Sequence, residues 1–404
     1  MPNYAKRLQL CDKGCNFATT IYPPRSTLMK HSTLFNRCAL AIALGVIAIA
    51  APAAPVIDGN KVSLRMLAPH ARQVMLDLSQ HSPIAMQRDT AGWWTVTTPQ
   101  LAPGMYTYLF QVDSMPQLDL GNAFTVRDVG NVRNLIIIDD ASAPISVAVR
   151  NVPHGNVDAA WYESPAVGYS RRMLVYTPPG YDQSPQHYPV LYLLHGMGCD
   201  ESSWLELGRT AQILDNGIAS GKIEPMIVVM PNGHVDLQAT PGVGADNMEQ
   251  PGFLHKRDME GTFERSMADI RKYVETHYRT RIGKRYRAIA GLSMGGYHSL
   301  YVSANNPDDY GYVGLFSAAI NARTGVEVDL YKDLENKVTT QLKQHPWLYW
   351  IGIGKDDFLY KENAEFRAML DRNDLHYIYH ESQGGHSWEN WRDYLQIFLP
   401  LLFK

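Results

Sequence analysis

The chain has 404 residues, 45% of them hydrophobic and 19% charged, with a formal net charge of -3. This length exceeds one ordinary core, so two domains are expected, and the composition excludes a disordered chain. With no block of like charge, nothing marks nucleic acid as a partner.

From Cys38 to Ala51 the chain reads CALAIALGVIAIAA, an uncharged apolar run followed by small residues. Lys30 and Arg37 precede it. This order predicts a signal peptide starting at Met29 and cleaved near Ala51 to Ala54. Met1 to Leu28 has no place in such a signal, which suggests a start codon assigned too early. The rival reading is a short membrane anchor, but the run is short for a bilayer. Loss of residues 1–51 removes six cations (Lys6, Arg7, Lys13, Arg25, Lys30, Arg37) and Asp12, taking the net charge from -3 to -8. Cys11, Cys15 and Cys38 leave too, so Cys199 remains alone and no internal disulfide is possible. A bacterial periplasmic or secreted protein is expected, without stable membrane insertion once the signal is cleaved.

Residues 55–140 read as an all-β domain. Val62, Leu64 and Met66 alternate with polar residues, as do Val74, Leu76 and Leu78, and then Tyr106, Tyr108, Phe110 and Val112. Ala91-Gly92, Pro103-Gly104 and Gly121-Asn122 punctuate the runs. Short alternating strands at this spacing predict a small immunoglobulin-like β-sandwich. An irregular linker with Pro144, Pro153, His154 and Gly155 follows. Within 141–404 the pattern changes to continuous apolar runs at Val190–Leu194, Met226–Met230, Ala288–Ala290, Val313–Phe316 and Trp347–Ile353. Helix-like segments lie between several of them, such as Phe263–Tyr278 and Lys361–Arg372. Strands buried on both faces and alternating with helices predict an α/β domain with a mainly parallel sheet.

Gly291-Leu292-Ser293-Met294-Gly295 fits G-x-S-x-G, between an apolar strand and a helix-like stretch. That is the context of a nucleophile elbow, with Ser293 lifted above the sheet near a helix N-terminus. An α/β-hydrolase then needs an acid and, last in the chain, a histidine. Gly354-Lys355-Asp356-Asp357 ends one predicted strand, and spacing alone leaves the choice between the two aspartates open. Gly384-Gly385-His386 follows the strand-like His376–Glu381, which singles out His386 among the 14 histidines. Oxyanion donors are expected from the N–H of Met294 and from that of Met197 in the loop after Val190–Leu194. His195 precedes the serine and reads as a residue that orders this loop. No metal-ligand pattern and no phosphate-cradling loop appears, so neither metal nor cofactor is expected.

LLHGMGCDESSW, MIVVMPNGH, YRAIAGLSMGGY, YVGLFSAAI, IGKDDFLY and GGHSWENWRDYL together resemble the putative-esterase family of α/β-hydrolases. RRMLVYTPPGY, at Arg171 to Tyr181, is most similar to its xylan-directed feruloyl and acetyl esterases, and PGMYTYLFQVD resembles the early-set modules attached to carbohydrate-active enzymes. The resemblance implies Ser293, Asp357 and His386 as a catalytic triad, Asp357 being the last residue of the family's G-x-x-D, with Met197 and Met294 at the oxyanion hole. Cys199 departs from the small residue usual there. Trp204, Trp388 and Trp391 are candidates to stack on a sugar or an aromatic acyl group, against a plain core role. The function expected is hydrolysis of feruloyl or acetyl esters of plant polysaccharide fragments. A siderophore esterase and an inactive glycan-binding protein are the alternatives.

Overall fold

Periodicity along the chain separates two kinds of strand, and a computed structural model shows both. It describes residues 54–245, 251–252, 256–321 and 328–404. The predicted signal segment lies outside the described residues, as do parts of Thr240–Gly261, a polar stretch expected from the sequence to help build the acyl pocket.

The alternating region forms β1 (Val56–Asp58), β2 (Lys61–Leu67), β3 (Val74–Leu78), β4 (Ile84–Ala85), β5 (Gln87–Arg88), β6 (Trp93–Thr97), β7 (Gly104–Val112), β8 (Met115–Gln117), β9 (Thr125–Asp128) and β10 (Asn131–Ile138). They pair antiparallel in two sheets, β1-β2-β6-β5 and β4-β3-β7-β10-β9, with β8 on β7. Side chains of opposite sheets share one core: Val62, Leu64 and Trp94 from the first, Leu76, Tyr108, Phe110 and Ile136 from the second. The period-2 positions read from the sequence are the inward-facing ones.

The second part holds β11 (Asn156–Ser164), β12 (Tyr169–Thr177), β13 (Val190–Leu194), β14 (Ile227–Pro231), β15 (Arg287–Leu292), β16 (Tyr312–Phe316), β17 (Leu348–Gly354) and β18 (Ile378–Ser382). Its helices are α1 (Ser203–Glu206), α2 (Thr210–Ala219), α3 (Thr262–His277), α4 (Met294–Asn305), α5 (Leu334–Lys343), α6 (Tyr360–Arg372) and α7 (Trp388–Phe398). The sheet order is β11-β12-β14-β13-β15-β16-β17-β18. From β14 onward every pair is parallel, whereas β11 and β12 are antiparallel to their neighbours, so the sheet is mixed.

Alternate residues of each central strand enter opposite cores, which is why these strands read as unbroken apolar runs. Val190, Tyr192 and Leu194 pack with α3, α4, α5 and α6 on one face. Leu191 and Leu193 pack with α2 and α7 on the other. Met105, Val126 and Leu135 of the antiparallel sheets join this second core, so the N-terminal strands rest on the α7 side of the mixed sheet. No helix among the described residues is long and apolar enough to cross a membrane.

Candidate active site

Four loops leave the carboxyl ends of β13, β15, β17 and β18 on the same edge of the sheet, where open α/β sheets bind ligands. The turn after β15 is the tightest. Ser293 has φ 53 and ψ -115, a conformation rare for a side-chain-bearing residue. The strand-to-helix reversal leaves no room beside it. A Cβ on Gly291 would stand 2.3 Å from the Gly295 carbonyl oxygen, and one on Gly295 would stand 2.3 Å from that of Leu194. The two glycines of the motif are thus packing requirements. Phe316 O accepts from the Ser293 N–H at 3.0 Å, and Ser293 O accepts from Ala319 N at 3.1 Å, which pins the strained residue to β16 and its loop.

Asp357 and His386 meet across the β17 and β18 loops. Nδ1 of His386 lies 2.9 Å from Oδ2 and 3.1 Å from Oδ1 of Asp357. The buried carboxylate also accepts from the Leu359 N–H at 2.9 Å. Asp356 is exposed, and its backbone N–H is taken by Gly384 O at 3.0 Å. The geometry therefore separates the two aspartates that spacing left open. With Nδ1 held by the acid, Nε2 is the nitrogen left for proton exchange. Phe358 and Trp391 flank the imidazole at 4.5 and 4.8 Å between ring centroids.

The loop after β13 is held by His195. Its Nδ1 donates to Gly196 O at 2.8 Å and its Nε2 accepts from Gly233 N at 2.7 Å. That pattern needs a neutral ring, and burial, reinforced by nearby His234, pushes its pKa down to about 3. His195 thus ties this loop to the one after β14, as a loop-ordering residue should. Gly196 lies against the elbow, since a Cβ there would stand 3.2 Å from that of Ser293. Met197 follows in this loop. Met294 is the first residue of α4, where N–H groups have no carbonyl partner within the helix. Cys199 is buried, and burial raises its thiol to about 12, so it stays protonated and packs as an apolar side chain.

Ser293, His386, Met197 and Met294 line one cavity of about 520 Å³. Trp388 and Trp391 line it too, at 5% and 6% exposure. Trp204 does not, and the expectation that it stacks on substrate is corrected. Its indole is 0% exposed, donates to Leu194 O at 2.9 Å and packs edge-on to Phe316 and Trp388. Sequence reasoning missed Phe358, 72% exposed at the mouth, because an aromatic inside IGKDDFLY carries no signal of its own. It also missed Thr107, Asp128 and Val129, which reach the cavity from the antiparallel sheets. No local pattern marks them, since their place depends on how the two parts pack.

The family model described as "Putative esterase" matches residues 164–400. The chain belongs to this esterase family. An endo-1,4-beta-xylanase/feruloyl esterase of Xylanibacter ruminicola is 32% identical over 263 residues, covering 63% of this chain and 34% of that protein. The chain thus spans about a third of that relative's length. A ferulic acid esterase from Anaeromyces mucronatus, solved with ferulic acid, has 26% identity and a TM-score of 0.52, covering 63% of this chain and 93% of the other. The enterobactin esterase of Shigella flexneri, at 15% identity, shares the fold alone. Its TM-score is 0.57 and it covers 84% of this chain and 92% of that one. The mixed sheet with its helical faces is that of the α/β-hydrolase fold of these esterases.

Proposed function

We propose that the protein is a serine carboxylesterase with Ser293, His386 and Asp357 as its triad. The observation that carries this reading is the buried Asp357 holding His386 Nδ1 at 2.9 Å, beside a cavity that the elbow serine also lines. Nε2 of His386 takes the hydroxyl proton as Ser293 Oγ bonds to the ester carbonyl carbon. The Met197 and Met294 N–H groups receive the developing oxyanion. Collapse of the tetrahedral intermediate breaks the bond to the alcohol oxygen, which takes the proton from His386 and leaves an acyl-enzyme. Water then repeats the sequence and frees the acid. An inactive glycan-binding protein has no use for a buried carboxylate that orients a histidine.

The substrate class is feruloyl or acetyl esters of plant polysaccharide fragments. The feruloyl esterase relative and the xylan-esterase phrase at Arg171 to Tyr181 support it, as do the Phe358, Trp388 and Trp391 rings around a cavity sized for a small aromatic group. Residues 55–140 are an early-set, immunoglobulin-like module and 141–404 the hydrolase domain. Residues 1–54 carry the export signal, so the enzyme acts in the periplasm or outside the cell. The test compares kcat/KM on feruloylated and acetylated xylo-oligosaccharides with that on a cyclic siderophore triester and a long-chain acyl ester. A carbohydrate ester should lead. A clear lead for the siderophore or the lipid ester refutes the substrate class and leaves the triad standing.

A further inference from the structure

We propose that the N-terminal sheets complete the active site, the tip of the β9–β10 hairpin forming a specificity wall on which Asp128 accepts a hydrogen bond from a hydroxyl group of the bound ester. This deepens the esterase reading above and rests on it.

The hairpin is built to fit the catalytic loops. Its two-residue turn is Val129 at φ 55 and Gly130 at φ 131. Such turns prefer Asn-Gly, and a β-branched residue at positive φ persists only where its surroundings hold it. Those surroundings are the loop that bears Met197. A Cβ on Gly198, itself at φ 73, would stand 2.7 Å from Val129 Cγ1, so the glycine leaves the space that Val129 occupies. One residue before Asp128, Arg127 pairs with the buried Asp200 of the same loop, and Thr240 donates to that carboxylate at 2.7 Å. The hairpin is thereby anchored on both sides of Asp128.

The chemistry of this wall differs from the rest of the cavity. Met197, Leu292, Trp388 and Trp391 are apolar linings, whereas Asp128 and Glu389 are acidic. Arg392 also lines the cavity but is committed to the protein. Nη1 donates to Leu207 O at 2.9 Å, and Nη2 donates to Met105 O at 3.3 Å and lies 3.8 Å from Glu389. Among the described residues lining the cavity no uncommitted Lys or Arg balances the acids, which disfavours an anionic substituent and favours a neutral hydroxyl donor. Burial raises the Asp128 pKa, with Trp388 opposing it, and a carboxyl accepts from a hydroxyl in either protonation state.

The hydroxyl belongs to either the acyl group or the alcohol, and two substrate pairs separate these sources. One pair is methyl 4-hydroxycinnamate against methyl cinnamate. The other is 2,3-dihydroxypropyl butyrate against propyl butyrate. In the wild type the hydroxyl should raise kcat/KM about tenfold or more in one pair. In Asp128→Ala that ratio should fall to within about twofold of unity. A general packing defect would lower both members of a pair equally and leave the ratio intact. A ratio unchanged in both pairs, or no hydroxyl preference in the wild type, overturns the proposal. Should Asp128→Ala not melt cooperatively, Asp128→Leu, closer in volume, gives the same reading. Fluorophosphonate labelling of the wild type and its turnover of p-nitrophenyl acetate report on the esterase reading separately. Failure of both removes that reading, whereas their success with an unchanged ratio removes only the role of Asp128.

Discussion

Replacing Asp357 by Asn should disable the enzyme while leaving its fold, because the hydrogen bonds around the carboxylate dictate how the amide sits. The Leu359 N–H donates to Oδ1 at 2.9 Å and needs an acceptor, so the amide oxygen stays on that side. The NH2 group then faces His386 Nδ1, which now lies 2.9–3.1 Å from carboxylate oxygens. Two donors cannot face each other, so the imidazole proton moves to Nε2 and the ring loses its ability to accept the serine proton. Wrong-tautomer substitutions of this kind lower kcat by about 10⁴-fold. At about 1.36 kcal/mol per decade this is roughly 5.5 kcal/mol of transition-state stabilisation. Asp356 is exposed, and Asp356→Asn should shift stability by no more than about 0.5 kcal/mol. Turnover of p-nitrophenyl acetate by the two variants, with melting curves to show that both are folded, decides between them. Equal losses, or a greater loss in Asp356→Asn, would refute the reasoning.

Gly295→Ala should cost at least roughly 100-fold in kcat/KM, because its Cβ would lie 2.3 Å from Leu194 O and displace the elbow from the loop of Met197; near-normal kinetics would contradict the packing argument. Trp204→Ala should destabilise the protein by about 3–5 kcal/mol in urea unfolding, as expected for a fully buried core indole, and a cost below about 1 kcal/mol would return Trp204 to a surface role. Burial and the adjacent Asp200 raise Glu201 from 4.5 to about 7. Between these values the unfolded chain releases a proton that the folded protein keeps, so this group's contribution to stability falls as the pH rises. Relative to Glu201→Gln, the wild type should therefore lose thermal stability between about pH 5 and 8, and a difference in Tm independent of pH would refute this.

What could be read from the sequence follows from where the information sits. Strands β13 to β17 are buried on both faces, so local composition alone marks them. The Ser293 elbow is legible because its motif is contiguous in the chain, even though only Gly291 is required by a local contact, with Gly295, while Gly295 is required by the end of β13 at Leu194. The β11–β12 pair was less visible. β11 lies at the sheet edge with only Ala160, Tyr162 and Ser164 buried, and its alternation is lost beside an irregular linker. Trp204 and Trp388 carry the same residue type in similar loop-to-helix contexts, yet only Trp388 reaches the cavity, because the Trp204 indole is bonded to Leu194 O and fully buried against Phe316 and Trp388. The contribution of Thr107, Asp128 and Val129 depends on the docking of two separately patterned regions, which no short stretch of sequence encodes.

Wild-type protein treated with a fluorophosphonate should gain one label, mapped by peptide mass to the segment containing Ser293, and lose p-nitrophenyl acetate turnover in proportion. Folded Ser293→Ala should take no label and lose turnover by about three orders of magnitude or more. A folded Ser293→Ala protein that hydrolyses the ester at a near-wild-type rate would contradict the mechanism outright.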